Sequence, residues 1–171
     1  MTRTTAREIA IQLGFAAAAG KVEPQELFDS FFSQEHYATL AAEDELYSEY
    51  PSKSQLDYIR SLTFTMADRR QEIDEYIERY AIGWKSGRIS KTALAVLRCA
   101  VCEILFMDVP PAAAINEAVE LAKGYDEPDT VAFVNGVLGG FVRGEFSKTQ
   151  ESDGVEAVEA DEPVETAEAG E

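Results

Sequence analysis

Residues 92–138 constrain the fold of this chain more tightly than any other stretch. Ala93, Val96, Leu97, Ala100, Val101, Ile104 and Leu105 recur at steps of three and four. That spacing predicts a helix with one wide apolar face. Asp108-Val109-Pro110 ends it, because proline disfavours helical backbone in the residue before it and cannot donate the next hydrogen bond. Pro111 stands at a first-turn position, where its missing N–H costs nothing, and AINEAVELAK at 114–123 continues a second helix. FVNGVL at 133–138 opens a third, expected to run from about Thr130, capped by Asp129, toward Phe146. A glycine inside a helix costs about 1 kcal/mol relative to alanine. Gly136 is therefore expected to mark close packing against a neighbour, and Gly139–Gly140 an early end to the helix.

The flanking sequence is also helical. Thr4 or Thr5 can cap a helix running to about Ala19, with Ile9, Leu13, Ala16 and Ala17 as its core stripe and Gly20 closing it. Pro24 begins a second helix whose apolar residues are Leu27, Phe28, Phe31 and Phe32. Residues 34–52 are acidic and aromatic without a clean period, and read as a short helix plus a loop. From Ser54, the positions Leu56, Ile59, Thr63, Met66, Ile73, Ile77 and Tyr80 fit one long helix or two broken near Asp68–Gln71. Residues 82–90 form a connector in which Trp84 lids the core and Ser90 caps the next helix. No useful strand alternation appears. The expected fold class is all-α, a compact single-domain bundle of about seven helices over residues 1–146. Residues 147–171 are acidic, rich in small residues and free of aromatics, and are expected to be a disordered tail.

Charge and cysteine usage narrow the function. The net charge is −17, and it is not confined to the tail: residues 148–171 hold nine Asp or Glu against one Lys, and the remainder 23 acidic against 14 basic residues. That balance argues against a general nucleic-acid binder with a broad basic face and favours a local basic site or a basic protein partner. Cys99 and Cys102 lie three apart in mid-helix. Redox pairs sit at a helix N-terminus after a strand, and a metal needs about four ligands, whereas His36 is the sole histidine. The pair is expected to be reduced core cysteine, which fits a cytoplasmic protein. Arg3 and Arg7 before an apolar run superficially resemble a secretory signal, but Glu8 and Gln12 interrupt it. No phosphate-cradling loop, nucleophile elbow or metal-ligand spacing appears, so no catalysis, cofactor or metal is expected. Glu117 and Glu120 read as a solvated helix face.

The strings LR at 97–98, DVP at 108–110, AINEAVELAK and FVNGVL, preceded by AREIAIQ at 6–12, resemble the NusB family of bacterial transcription antitermination factors. The resemblance covers roughly residues 1–146 and is most specific over 93–138. It implies a non-catalytic factor that binds single-stranded boxA RNA of ribosomal RNA operons together with the ribosomal protein NusE, on the elongating RNA polymerase complex. No uninterrupted apolar stretch reaches membrane-spanning length, so no membrane association is expected, and the protein is expected to be a monomer or homodimer. Carried over by position, the expected RNA-binding residues are Arg3, Arg7, Gln12 and Phe15 on the first helix, and Asp129 and Phe133 near the start of the last. Arginine supplies phosphate contacts, and Phe15 and Phe133 could stack bases. The opening segment has fewer arginines than is common in the family, and Val131–Ala132 lacks a basic residue. Weak RNA binding by the protein alone, tightened by NusE, is therefore expected. Two other readings exist. A NusB-like domain of a ribosomal RNA methyltransferase would need a following α/β domain. A helical protein-interaction module would have weak or lost RNA binding.

Overall fold

The computed structural model describes residues 1–20, 22–82, 89–125 and 128–152, with side chains described through Ser147. Among the described residues there are eight α-helices: α1 (Arg3–Ala19), α2 (Pro24–Phe31), α3 (Gln34–Glu43), α4 (Lys53–Asp68), α5 (Arg70–Tyr80), α6 (Lys91–Phe106), α7 (Pro111–Tyr125) and α8 (Pro128–Ser152), with a single 3₁₀ turn at Glu45–Tyr47. Trp84 and the tail beyond Ser152 lie outside the described residues.

Helix boundaries follow local chemistry. Thr2, ahead of the expected Thr4 or Thr5, caps α1 by accepting from the Thr5 amide at 3.0 Å. Ser52 and Gln55 form a reciprocal capping box at the start of α4. Ser90 accepts from the Ala93 amide and starts α6. Asp108 closes α6 with a φ of 54°, a left-handed conformation that aspartate tolerates better than branched residues. That turn lets the Val109 and Met107 amides both reach the Glu103 carbonyl at 3.2 Å, satisfying the end of the helix.

Helix α6 is the axis of the bundle. Ala93, Val96, Leu97, Cys99, Ala100, Val101, Cys102 and Ile104 are all buried. A helix apolar nearly all round must be covered on several sides, and α1, α4, α5, α7 and α8 all pack against it. Helix α1 also lies along α4, and α7 lies along α8. The Arg98 guanidinium donates to both carboxylate oxygens of Asp74, at 2.7 and 2.8 Å, and fixes α6 to α5. Residues 34–52 take their order from rings: Tyr37 packs among Phe32, Tyr47 and Tyr50, and its hydroxyl donates to the Glu49 carbonyl at 3.0 Å.

The last helix departs from expectation in three ways. It begins at Pro128, so Asp129 lies in its first turn and is not its cap. It runs unbroken through Gly139 and Gly140 to Ser152. Gly136 is exposed, and a Cβ there would meet nothing within 4 Å. The close approach falls instead at Gly140 and Gly144, which lie against the Tyr80 side chain of α5. The Tyr80 hydroxyl donates to Glu145 at 2.6 Å, and Arg79 donates to the same oxygen at 2.7 Å. Packing against α5 thus carries α8 past its glycines, overriding their poor intrinsic propensity.

Candidate nucleic-acid interface

The two arginines of α1 are four residues apart and have opposite fates. Arg7 is 5% exposed. Its Nε and Nη2 donate to the two oxygens of Glu103, at 2.8 and 3.1 Å, and its Nη1 donates to Glu117 at 2.9 Å. Glu103, on α6, is 1% exposed. It also accepts from the Tyr58 hydroxyl of α4 at 2.6 Å. Glu117, on α7, also accepts from the Thr4 hydroxyl at 2.9 Å. Burial alone would lower the Arg7 pKa, but the hydrogen bonds and charge of Glu103 outweigh it, and the net shift is upward. Burial and Glu103 together push the Tyr58 phenol well above its ordinary range. Four helices meet at this network. The expectation that Arg7 presents its charge to a phosphate is therefore corrected: its donors are turned inward and engaged by two carboxylates.

Arg3, one turn earlier, is exposed, and its guanidinium lies 3.9 Å from the centre of the Tyr58 ring. Gln12 is half-buried and accepts a hydrogen bond from the Tyr47 hydroxyl. Phe15 is 45% exposed, too open for an ordinary core aromatic. Gln12 and Phe15 line a groove of about 220 Å³ with Glu8 and Ile11 of α1, Ala95 and Val96 of α6, and Leu121 and Tyr125 of α7. Tyr125 is 51% exposed. A second cleft of about 170 Å³ shares Ile11, Phe15 and Ala95 with the first and is also lined by Met66, Arg70 and Arg98. Asp129 is exposed in the first turn of α8, and Phe133 is half-buried against the core.

The structure thus brings Gln12 and Phe15 together, with Asp129 following Tyr125 by four positions, and takes Arg7 out of the surface. Sequence reasoning missed Tyr58 and Tyr125. Tyr125 was findable, since an aromatic next to Gly124 at the end of a helix pattern is poorly placed for the core. Tyr58 gave no such signal, because its role depends on α1 and α6 crossing beside it. Cys99 and Cys102 are both buried, and burial leads the causes that raise their thiols, that of Cys102 to about 12. Neither is a reactive thiolate at neutral pH.

The NusB family model matches residues 4–143. The transcription antitermination protein NusB of Thermoanaerobacter sp. (strain X514) is 34% identical over 152 residues, covering 89% of this chain and 98% of that protein. Among solved structures, NusB of T. maritima superposes with a TM-score of 0.68 at 22% identity, covering 89% of this chain and 98% of that one, and bears on the fold alone. A chain from a structure described as a plectonemic RNA supercoil superposes with a TM-score of 0.67 at 25% identity, covering 85% of this chain and 96% of that one. A family match across nearly all the described helices, joined to a close curated relative of almost equal length, leads to one conclusion: the chain belongs to the NusB family of transcription antitermination proteins.

Proposed function

We propose that this protein is a non-catalytic, cytoplasmic antitermination factor that binds single-stranded boxA RNA of ribosomal RNA operons together with NusE, on the elongating polymerase. The observation that carries the reading is the groove between α1, α6 and α7, whose lining half-exposed Phe15 and Tyr125 share with Gln12. Unpaired bases offer a free face to aromatic side chains and a free Watson–Crick edge to side-chain amides, both of which pairing within a helix occupies. The RNA-binding residues are Arg3, Gln12, Phe15, Asp129 and Phe133, with Arg7 as framework beneath them. Residues 1–146 are the binding domain, and the acidic segment 147–171, whose first six residues continue α8, follows it as a tail.

With Arg7 engaged internally, α1 offers the phosphates one arginine, Arg3, and the net charge of −17 opposes the approach of RNA. A basic protein partner such as NusE would complete the electrostatics. A boxA RNA oligonucleotide titrated at two salt concentrations, with and without NusE, tests this. Weak binding alone with a shallow salt dependence, tightened by NusE, is expected. Tight solitary binding with a steep salt slope would refute it. The internal engagement of Arg7 also favours a second reading, a helical protein-interaction module with weak or lost RNA binding. That reading stands if NusE binds and RNA does not, with or without it.

A further inference from the structure

Tyr58 has a structural anchor at one end and a cation at its face. Its hydroxyl donates to Glu103 at 2.6 Å, and Glu103 is itself held by Arg7 through both oxygens. The phenol is therefore fixed from below. Above it, the Arg3 guanidinium sits 3.9 Å from the ring centre. Arg3 is exposed and makes no ion pair among the described residues. A planar cation pinned to an aromatic by one face keeps its other face and its N–H edge for a ligand, and it surrenders little rotamer freedom on binding.

Resting on the RNA-binding reading above, we propose that Tyr58 is a positioning residue that holds Arg3 flat, so that an unpaired RNA base stacks on the outer face of the guanidinium. The adjacent phosphate meets its N–H edge. Arginine planes stack bases as aromatic rings do, and a cation already seated on a ring carries both the stacking surface and the charge. The buried Arg7–Glu103 pair then acts on RNA indirectly, by fixing the phenol that fixes Arg3.

The test uses the full chain with NusE and a boxA RNA oligonucleotide in which single adenines are replaced, one at a time, by 2-aminopurine, whose fluorescence falls on stacking. Arg3→Lys keeps the charge and loses the plane. It is expected to weaken binding by ~5- to 100-fold and to restore the fluorescence of one position, with the salt dependence unchanged. Tyr58→Leu removes the seat and keeps the cation, so it is expected to match Arg3→Lys in both readouts. Arg3→Ala loses the plane and the charge, and additionally lowers the salt slope by about one. Tyr58→Phe keeps the ring but loses its hydroxyl anchor to Glu103, and is expected to fall between the wild type and Tyr58→Leu in quenching. A purely structural role for Tyr58 would lower thermal stability without singling out one base. Wild-type quenching and affinity in Arg3→Lys overturn the proposal even if Tyr58→Leu fails to fold. If the wild type binds and both variants match it, this proposal is wrong and the RNA-binding reading stands; if only Tyr58→Leu matches it, the positioning role of Tyr58 is wrong. If the wild type binds no RNA with NusE present, the RNA reading fails and takes this proposal with it.

Discussion

Replacing Arg7 by methionine tests whether the four-helix network is held together by charge or by shape. Methionine fills much of the same volume, so the main change is that Glu103, 1% exposed, loses the cation bonded to both of its oxygens. Removing one partner of a buried pair costs about 3–5 kcal/mol, because the remaining charge is stranded. Glu117, on the other side, is 32% exposed and returns to water at little cost. At about 2–4 °C per kcal/mol for a domain of this size, the melting temperature should fall by roughly 6–20 °C. A second change, Glu103→Leu in the same chain, removes the stranded charge and should recover most of the loss. Recovery is incomplete, since the Tyr58 hydroxyl loses its acceptor, worth about 1–3 kcal/mol. Adding Tyr58→Phe should recover that remainder as well. Urea unfolding followed by circular dichroism at 222 nm measures all three. If the single variant costs under about 1 kcal/mol, or the double variant is no more stable than the single, the pair is not a buried charge pair of the kind the geometry describes.

Other outcomes follow from the same physics. Gly136→Ala, at an open helical position, should stabilise by about 0.5–1 kcal/mol, whereas Gly144→Ala sets a Cβ 2.6 Å from Tyr80 ring atoms and should cost about 1–3 kcal/mol despite its better helix propensity; thermal melts of the two should move in opposite directions. Burial first, and the Asp44 charge second, raise the carboxyl pKa of Glu8. A raised carboxyl contributes stability below its unfolded pKa that is lost as pH rises through the folded value, so Glu8→Gln should raise the melting temperature at pH 7 and lose that advantage in acid. Cys102, its thiol pushed up to about 12, and Cys99 should resist aromatic disulfide reagents at pH 8 in the native protein and react fully in denaturant; fast native labelling would contradict their burial.

Much of this fold was legible in one dimension, because helix periodicity and caps are local. The three-to-four spacing of Val96, Leu97, Ala100, Val101 and Ile104 announced the central helix, and Pro110–Pro111 its boundary with the next. The cap at Ser90 was equally visible, whereas the break near Asp68 was one of two readings the spacing allowed. In segment 34–52 the short helix and loop were expected and found, but not what holds them, because ring packing has no sequence period. Of the candidate site, the resemblance to NusB nominated Arg3, Arg7, Gln12, Phe15, Asp129 and Phe133, but the direction in which each side chain points was beyond it. Arg3 and Arg7 are the same residue type, one helical turn apart. Only the crossing of α1 with α6 and α7 decides that Arg7 turns inward to meet Glu103 and Glu117 while Arg3 lies out over Tyr58. A charge is spent or available according to which carboxylates the other helices bring beside it, and that is a property of the packed chain.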